Sequence, residues 1–335
     1  MNKQFLTGVK MMNTVINTSL QLSLYAVLML LSVSIRAETT GNDVGKSPWG
    51  AEDEIGALNM MNESSSFEVL KRIASGKVYD LGVELFVGMP NCCAMLGAPD
   101  YHFFTTQRPA RGHNKELVSY SGDTISTSTH MGTHLDTLNH FGLKGKIWNE
   151  VSADDALAPR GWQRSGADAY PPIIARGVLI DVAAEMGVEQ LPSSYAISAE
   201  DLQRALKKQE TALKAGDVVL VRTGLMKNWP DPAKYQMFNQ AGLGLDAARW
   251  LVEDNKAMLL GADNFGLESF PSTNKENFAP MHTYLLGQRG VSFLEVVWLE
   301  DLAKDQVYEF VFIASGLKLS GASSSPVRPL AIPIN

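Results

Sequence analysis

The sequence predicts an α/β domain built on a mixed sheet with flanking helices. After residue 170, short β-branched or leucine-rich runs suit buried strands: GVLIDV at 177–182, DVVLVR at 217–222, AMLLG at 257–261 and YEFVFI at 308–313. These runs alternate with helical segments, an order that favours strands joined by helical crossovers. The turn-rich stretch 79–129 adds further β structure, expected to be antiparallel.

The helices are marked by their ends. Residues 67–73 (FEVLKRI) carry apolar side chains at helical spacing, follow the capping serines at 64–66 and stop at Gly76. In residues 198–206 (SAEDLQRAL), Ser198 serves as N-cap with Asp201 three residues on, and Gly216 closes the segment. A third helix is expected over 246–254. No proline- or serine-rich linker and no internal repeat interrupts the chain after Trp49, so residues 49–335 are read as a single domain.

The first 37 residues differ from the rest. Lys3 and Lys10 precede residues 11–35, which hold no charged side chain and are most apolar at 24–31 (LYAVLMLL). This is the pattern of a secretory signal peptide, 1–37, cut after Ala37, and it predicts an exported protein, periplasmic or secreted. The alternative is an uncleaved membrane anchor, since 25 uncharged residues are enough to span a bilayer. Residues 38–48 are polar and contain glycine, and read as a flexible linker. Cleavage removes Lys3, Lys10 and Arg36 but no acidic residue, leaving 26 basic against 36 acidic residues, a formal −10. That balance argues against nucleic acid as a partner. Cys92 and Cys93 are the only cysteines and are neighbours, so no long-range disulfide framework exists; they read as apolar thiols.

The chemistry is concentrated in residues 130–140, HMGTHLDTLNH. Three of the six histidines, His130, His134 and His140, fall in these 11 residues together with Asp136. Imidazole nitrogen and carboxylate oxygen are the ligands that Zn2+, Mn2+ and Fe2+ accept at roughly 2.0–2.2 Å, so donors sharing one ion sit about 3 Å apart. Residues four apart in an extended strand are separated by roughly 13 Å, so the chain must curl here. Gly132 supplies the freedom for a turn, and helical geometry would make His130 and His134, and Asp136 and His140, close neighbours. A strand over 123–128 is therefore expected to deliver His130 to a tight turn that opens a short helix. His102 and His113 lack such company and are placed in loops. Asp263 and Glu268 follow a predicted strand but sit beside glycines, the setting of turn and cap residues rather than catalytic ones.

Residues 130–140 resemble the cyclase family of metal-dependent hydrolases, the group containing bacterial kynurenine formamidase and isatin hydrolase, whose signature is His-x-Gly-Thr-His-x-Asp-x-x-x-His. The similarity extends to residues 49–59 (WGAEDEIGALN), 261–268 (GADNFGLE) and 317–331 (LKLSGASSSPVRPLA). The resemblance implies a swivelling β/β/α fold in which the first two motif histidines and the aspartate bind metal and the last histidine works as acid or base. On this chain those roles fall on His130, His134, Asp136 and His140. Members with two metals add a distal histidine and glutamate, to which 281–286 (MHTYLL) and 291–295 (VSFLE) are similar, so His282 and Glu295 are implied as further ligands. The resemblance also implies one or two divalent ions, Zn2+ or Mn2+, and a homodimer or homotetramer. Leu138 stands where the shorter formamidases carry proline, and the mature chain is longer than theirs, so kynurenine formamidase activity itself is not expected.

An ion held by two neutral imidazoles and a carboxylate keeps positive charge and an open position. It can then lower the pKa of bound water and polarise a carbonyl. The expected reaction is hydrolysis of a carbon–nitrogen bond in an amide, formanilide or cyclic amide (lactam) by metal-bound hydroxide, with His140 moving a proton to the leaving nitrogen. The partner is a small molecule, an aromatic or cyclic amide, and Trp49, Phe103, Phe104 and Trp148 are candidate pocket aromatics. A lactone hydrolase or a ring-closing cyclase or dehydratase is the enzymatic alternative, and a periplasmic metal- or solute-binding protein the non-enzymatic one. A carrier gains from a closed coordination sphere, whereas a histidine beyond the ligand set is more useful as a proton carrier.

Overall fold

The structure, a computed structural model, describes residues 43–91, 94, 97–109, 119–235 and 237–335. The leader at 1–37, the start of the expected linker, Cys92, Cys93 and His113 lie outside the described residues. Among the described residues no helix is long and apolar enough to cross a membrane. Residues 43–48, read as the end of a linker, are docked instead: Val44 and Ser47 are buried, and the Gly45 N–H donates to the Gly287 carbonyl at 2.8 Å. One valine with a core position outweighs the polar composition around it.

Helix α1 (Glu63–Leu70) begins just before the expected serines, because Asn62 is the N-cap and accepts the Ser65 N–H. Strand β1 (Tyr79–Asp80) follows. The expected antiparallel structure comes next, as a hairpin of β2 (His102–Gln107) and β3 (Gly122–Ser126). His102 is thus an exposed strand residue rather than a loop residue. Then come β4 (His134–Asp136), β5 (Ile173–Asp181), α2 (Ala199–Lys208), β6 (Val218–Arg222), α3 (Leu245–Arg249) and β7 (Leu259–Ala262). The chain closes with α4 (Pro280–His282), β8 (Phe293–Glu295), β9 (Glu309–Ala314), β10 (Ser324–Pro326) and β11 (Leu330–Pro333).

Nine of these strands form one mixed sheet in the order β1-β11-β9-β5-β6-β7-β8-β4-β10. Strands β5 to β8 run parallel, and antiparallel pairs flank them on both sides. The parallel strands have apolar centres because both faces are covered: Val178, Leu179, Ile180, Val218, Val219, Leu220, Leu259 and Leu260 are all fully buried. Helix α2 has the expected capping box, with Ser198 and Asp201 satisfying each other's backbone N–H groups, and buries Leu202, Ala205 and Leu206. It ends at Lys208, well before Gly216. Helix α3 continues as a π-helical turn, Trp250–Asp254, so the third expected helix is present with an irregular second half.

The segment 49–59 earns its place structurally. Asp53 accepts from the Trp148 indole Nε1 at 3.0 Å, the Ile55 and Gly56 N–H groups at 3.0 and 3.1 Å, and the Asn59 amide at 2.7 Å. Trp148 is buried beneath this turn, so it is a core residue and not a pocket aromatic. Replacing Asp53 with alanine strands several partly buried donors and is expected to cost about 2–3 kcal/mol by urea unfolding. Burial pushes the Asp53 carboxyl up, but hydrogen bonds from Ser47, Trp148, Ile55 and Asn59 outweigh it and hold it below 3.8. Its ionised form is therefore favoured by folding. The stabilisation is complete above that pH and is lost as pH falls through the depressed value, so the wild-type advantage over Asp53→Asn should shrink in acid.

Candidate metal centre

The site is assembled on β4 and its two neighbours. Side chains alternate across a strand, so His134 and Asp136 share one face while Leu135 enters the core behind them. The register places Glu295 of β8 directly opposite His134, and Ser324 of β10 opposite Asp136. The short helix expected after residue 130 is absent. Pairing on both sides holds 134–136 as a strand, and turns at its two ends do the curling that a helix was expected to do.

The first turn depends on Gly132, whose φ of +62° belongs to the left-handed region; a Cβ there would also meet the Leu85 side chain at 2.5 Å. It folds His130 back until its Nε2 lies 3.4 Å from Asp136 Oδ1. In the second turn the His140 N–H bonds to the Thr137 carbonyl, and the Leu138 N–H donates to the buried Tyr170 hydroxyl. His140 Nε2 is thereby set 3.6 Å from Asp136 Oδ2. His282, at the end of α4, completes the group with Nε2 3.9 Å from Asp136 Oδ2 and 3.5 Å from Glu295 Oε1.

The two carboxylates therefore each face two ways. Asp136 turns Oδ1 toward His130 and His134, at 3.4 and 3.5 Å, and Oδ2 toward His140 and His282. Glu295 turns Oε2 toward His134 at 3.4 Å and Oε1 toward His282. These separations exceed ordinary N–H···O bonds; the shortest, at 3.4–3.5 Å, approach the roughly 3.0–3.4 Å between donors that share one ion at about 2.1 Å, while those at 3.6 and 3.9 Å are longer. Two overlapping sets, His130, Asp136 and His140, and His134, Asp136 and Glu295, each have donor atoms within 4.8 Å of one another.

The protonation pattern suits the same role. His134 Nδ1 lies 2.8 Å from the Gly132 carbonyl, which can only accept, so Nδ1 carries a proton and Nε2 is the nitrogen turned to the carboxylates. Burial, reinforced by the neighbouring His140 and His134, pushes His130 down to about 2. Burial likewise holds His140 well below its ordinary value, together with His282 and His134. Both rings are neutral at physiological pH, as metal ligands must be. Burial opposes ionisation of Glu295, but His134 and His282 overcome it and hold the carboxyl low. His282 differs: burial works against its protonation, yet its bonds to Glu268 and Glu295 raise it to about 10, so an ion would have to displace the proton on Nε2.

The sequence profile described as putative cyclase matches residues 67–269, more than half of the chain. The chain belongs to the cyclase family. Among solved structures, one described as a novel cyclase is 27% identical, with a TM-score of 0.78 over 87% of this chain and 97% of its own. Isatin hydrolase A from Ralstonia solanacearum is 21% identical, with a TM-score of 0.60 over 77% of this chain and 92% of its own. Isatin hydrolase A from Labrenzia aggregata, bound to benzyl benzoate, is 22% identical, with a TM-score of 0.60 over 80% and 99%. The mixed sheet with flanking helices is thus the cyclase fold. Among curated proteins, no sequence matches this chain.

All six residues singled out in the sequence, His130, His134, Asp136, His140, His282 and Glu295, converge in this cyclase chain. Sequence reasoning missed Glu268, which is buried against His282 with Oε1 2.8 Å from Nδ1. Its signal was present in the 261–268 block, but the glycines around it read as a turn. Asp263, in the same block, is a structural acceptor for the Thr223 and Gly224 N–H groups and the Thr223 hydroxyl. Sequence reasoning also missed two aromatics beside the centre: the Phe141 ring lies 4.5 Å from His282 and 5.9 Å from the exposed Phe278. Trp49, Phe103 and Phe104 are exposed, and none of their ring contacts reaches the centre.

Proposed function

We propose that this chain is an exported, metal-dependent hydrolase that cleaves a carbon–nitrogen bond in a small aromatic amide, formanilide or cyclic amide. The observation that carries the reading is the convergence of four imidazoles on two buried carboxylates at 3.4–3.9 Å. The donor set fits a divalent ion of the zinc or manganese kind: His130, His134, Asp136 and Glu295 would hold one ion, and Asp136, Glu295 and His282 have a second face for another. Such an ion supplies Lewis acidity for a carbonyl and lowers the pKa of water.

The protein groups supply the rest. His140 is the most open of the four histidines, 23% exposed against 1% for His134, so it is the one that reaches substrate. Its neutral imidazole takes a proton at Nε2 from the attacking water and delivers it to the departing nitrogen, which must be protonated to leave as an amine. Phe141 and Phe278 offer an aromatic edge for a ring fused or joined to the scissile amide. The isatin hydrolases that share the fold, one solved with the product analogue thioisatinate, make cyclic aryl amides the first substrates to try. Export rests on the apolar run at 11–35.

Purified protein stripped with chelator should lose hydrolysis of aryl amides and lactams and regain it with Zn2+ or Mn2+. Activity indifferent to metal removal would contradict the reading. Products that have gained no water would indicate a ring-closing cyclase or dehydratase, and tight metal binding without any turnover would indicate a binding protein.

A further inference from the structure

We propose that Glu268 is a positioning residue for a second ion, holding His282 so that its Nε2 is turned to the space between Asp136 and Glu295. The inference rests on the metal-dependent reading above and extends it to a residue outside the converging set. A carboxylate can only accept, so the 2.8 Å contact between Glu268 Oε1 and His282 Nδ1 places a proton on Nδ1. Nε2, on the far side of the ring, is then the atom left to meet an ion in exchange for its proton, and it lies 3.5 Å from Glu295 Oε1 and 3.9 Å from Asp136 Oδ2. The same Glu268 oxygen also accepts the His282 backbone N–H at 3.1 Å, so it anchors both the backbone at the end of α4 and the ring that this residue carries.

Glu268 is itself held rigidly. It is buried, its backbone bridges to Leu243, and its carbonyl accepts from the Gln240 amide. The path from β7 is equally constrained. Gly266, at φ +72°, passes so close to His282 that a Cβ would lie 3.1 Å from the ring Cε1. The Phe293 ring stands edge-on to His282 at 4.9 Å and Phe141 lies at 4.5 Å, leaving the imidazole little room to rotate. His134 uses the Gly132 carbonyl for the same purpose, so the two buried histidines are oriented by different kinds of acceptor. A carboxylate in that place also raises the basicity of the ring it holds.

The test titrates Zn2+ or Mn2+ alone into metal-stripped wild type, Glu268→Ala, Glu268→Gln, His282→Ala and the Glu268→Ala/His282→Ala double variant, following stoichiometry and affinity by calorimetry. Glu268→Ala should weaken one of two ions about 10- to 100-fold, the range seen when a ligand's supporting partner is lost, and leave the other unchanged. Glu268→Gln, which keeps an acceptor but not the charge, should recover part of the loss. The double variant should bind no worse than His282→Ala, because Glu268 acts through that ring. Wild-type affinity for both ions in Glu268→Ala, or additive losses in the double variant, would overturn the proposal while leaving the metal-dependent reading intact. Wild type that binds no ion would overturn both, and wild type that binds only one would overturn the second-ion role. If Glu268→Ala fails to fold, Glu268→Gln and Glu268→Asp carry the same comparison.

Discussion

Replacing His134 with alanine is expected to strip the centre of its tightly held ion and lower turnover by about 10³-fold or more. The magnitude follows from a Lewis acid contributing several kcal/mol to the transition state, at 1.36 kcal/mol per factor of ten. His134 is the residue to remove because it is the most buried of the four histidines at the centre and, of those four, the one facing Asp136 Oδ1 and Glu295 Oε2 together. Elemental analysis and kcat/KM on the same preparation check the pairing of the two losses. Circular dichroism separates it from unfolding, since the β4 pairing to β8 and β10 is made by backbone and survives the change. A variant that keeps full metal and full activity would remove His134 from the centre.

His140→Ala should behave differently. General acid–base catalysis contributes roughly 10²- to 10⁴-fold, so turnover should fall by that factor while metal content stays near that of wild type. His140 is the most exposed histidine of the set, sits on a turn rather than a strand, and is held neutral by burial and by its histidine neighbours. Its 3.6 Å approach to Asp136 Oδ2 also groups it with His130 as a potential ligand. Equal loss of metal and turnover would assign it that role instead. Partial rescue of His140→Ala by added imidazole, with metal content unchanged, would support proton transfer.

The centre was legible in the sequence to the extent that its residues are neighbours in the chain. His130, His134, Asp136 and His140 crowd into one segment, and chain connectivity alone brings them together once Gly132 provides the turn. Their local structure was misread for a physical reason: a three-residue strand shows no periodicity, and what makes 134–136 a strand is pairing to residues 293–295 and 324–326, which no local pattern reveals. His282 and Glu295 were reached only through resemblance, because sheet register and the α4 turn carry them across more than 140 residues to Asp136. Glu268 was discounted because a buried carboxylate beside glycines looks like a cap until its histidine partner is seen. The central strands and α2 were readable in advance, since unbroken apolar runs and a capping box are local signals. The docking of residues 43–48 and the burial of Trp148 were not, because they depend on long-range contacts with residues 287–290 and Asp53.

The most direct test of the centre is anomalous diffraction from crystals of the protein loaded with Mn2+ or Zn2+, recorded at the absorption edge of that metal. The account predicts a peak roughly 2.0–2.3 Å from an Asp136 oxygen with His130 or His134 as co-ligand, and a second toward His282 and Glu295 at saturating metal. Metal bound only elsewhere on the surface, or no peak among these residues at millimolar concentration, would contradict it.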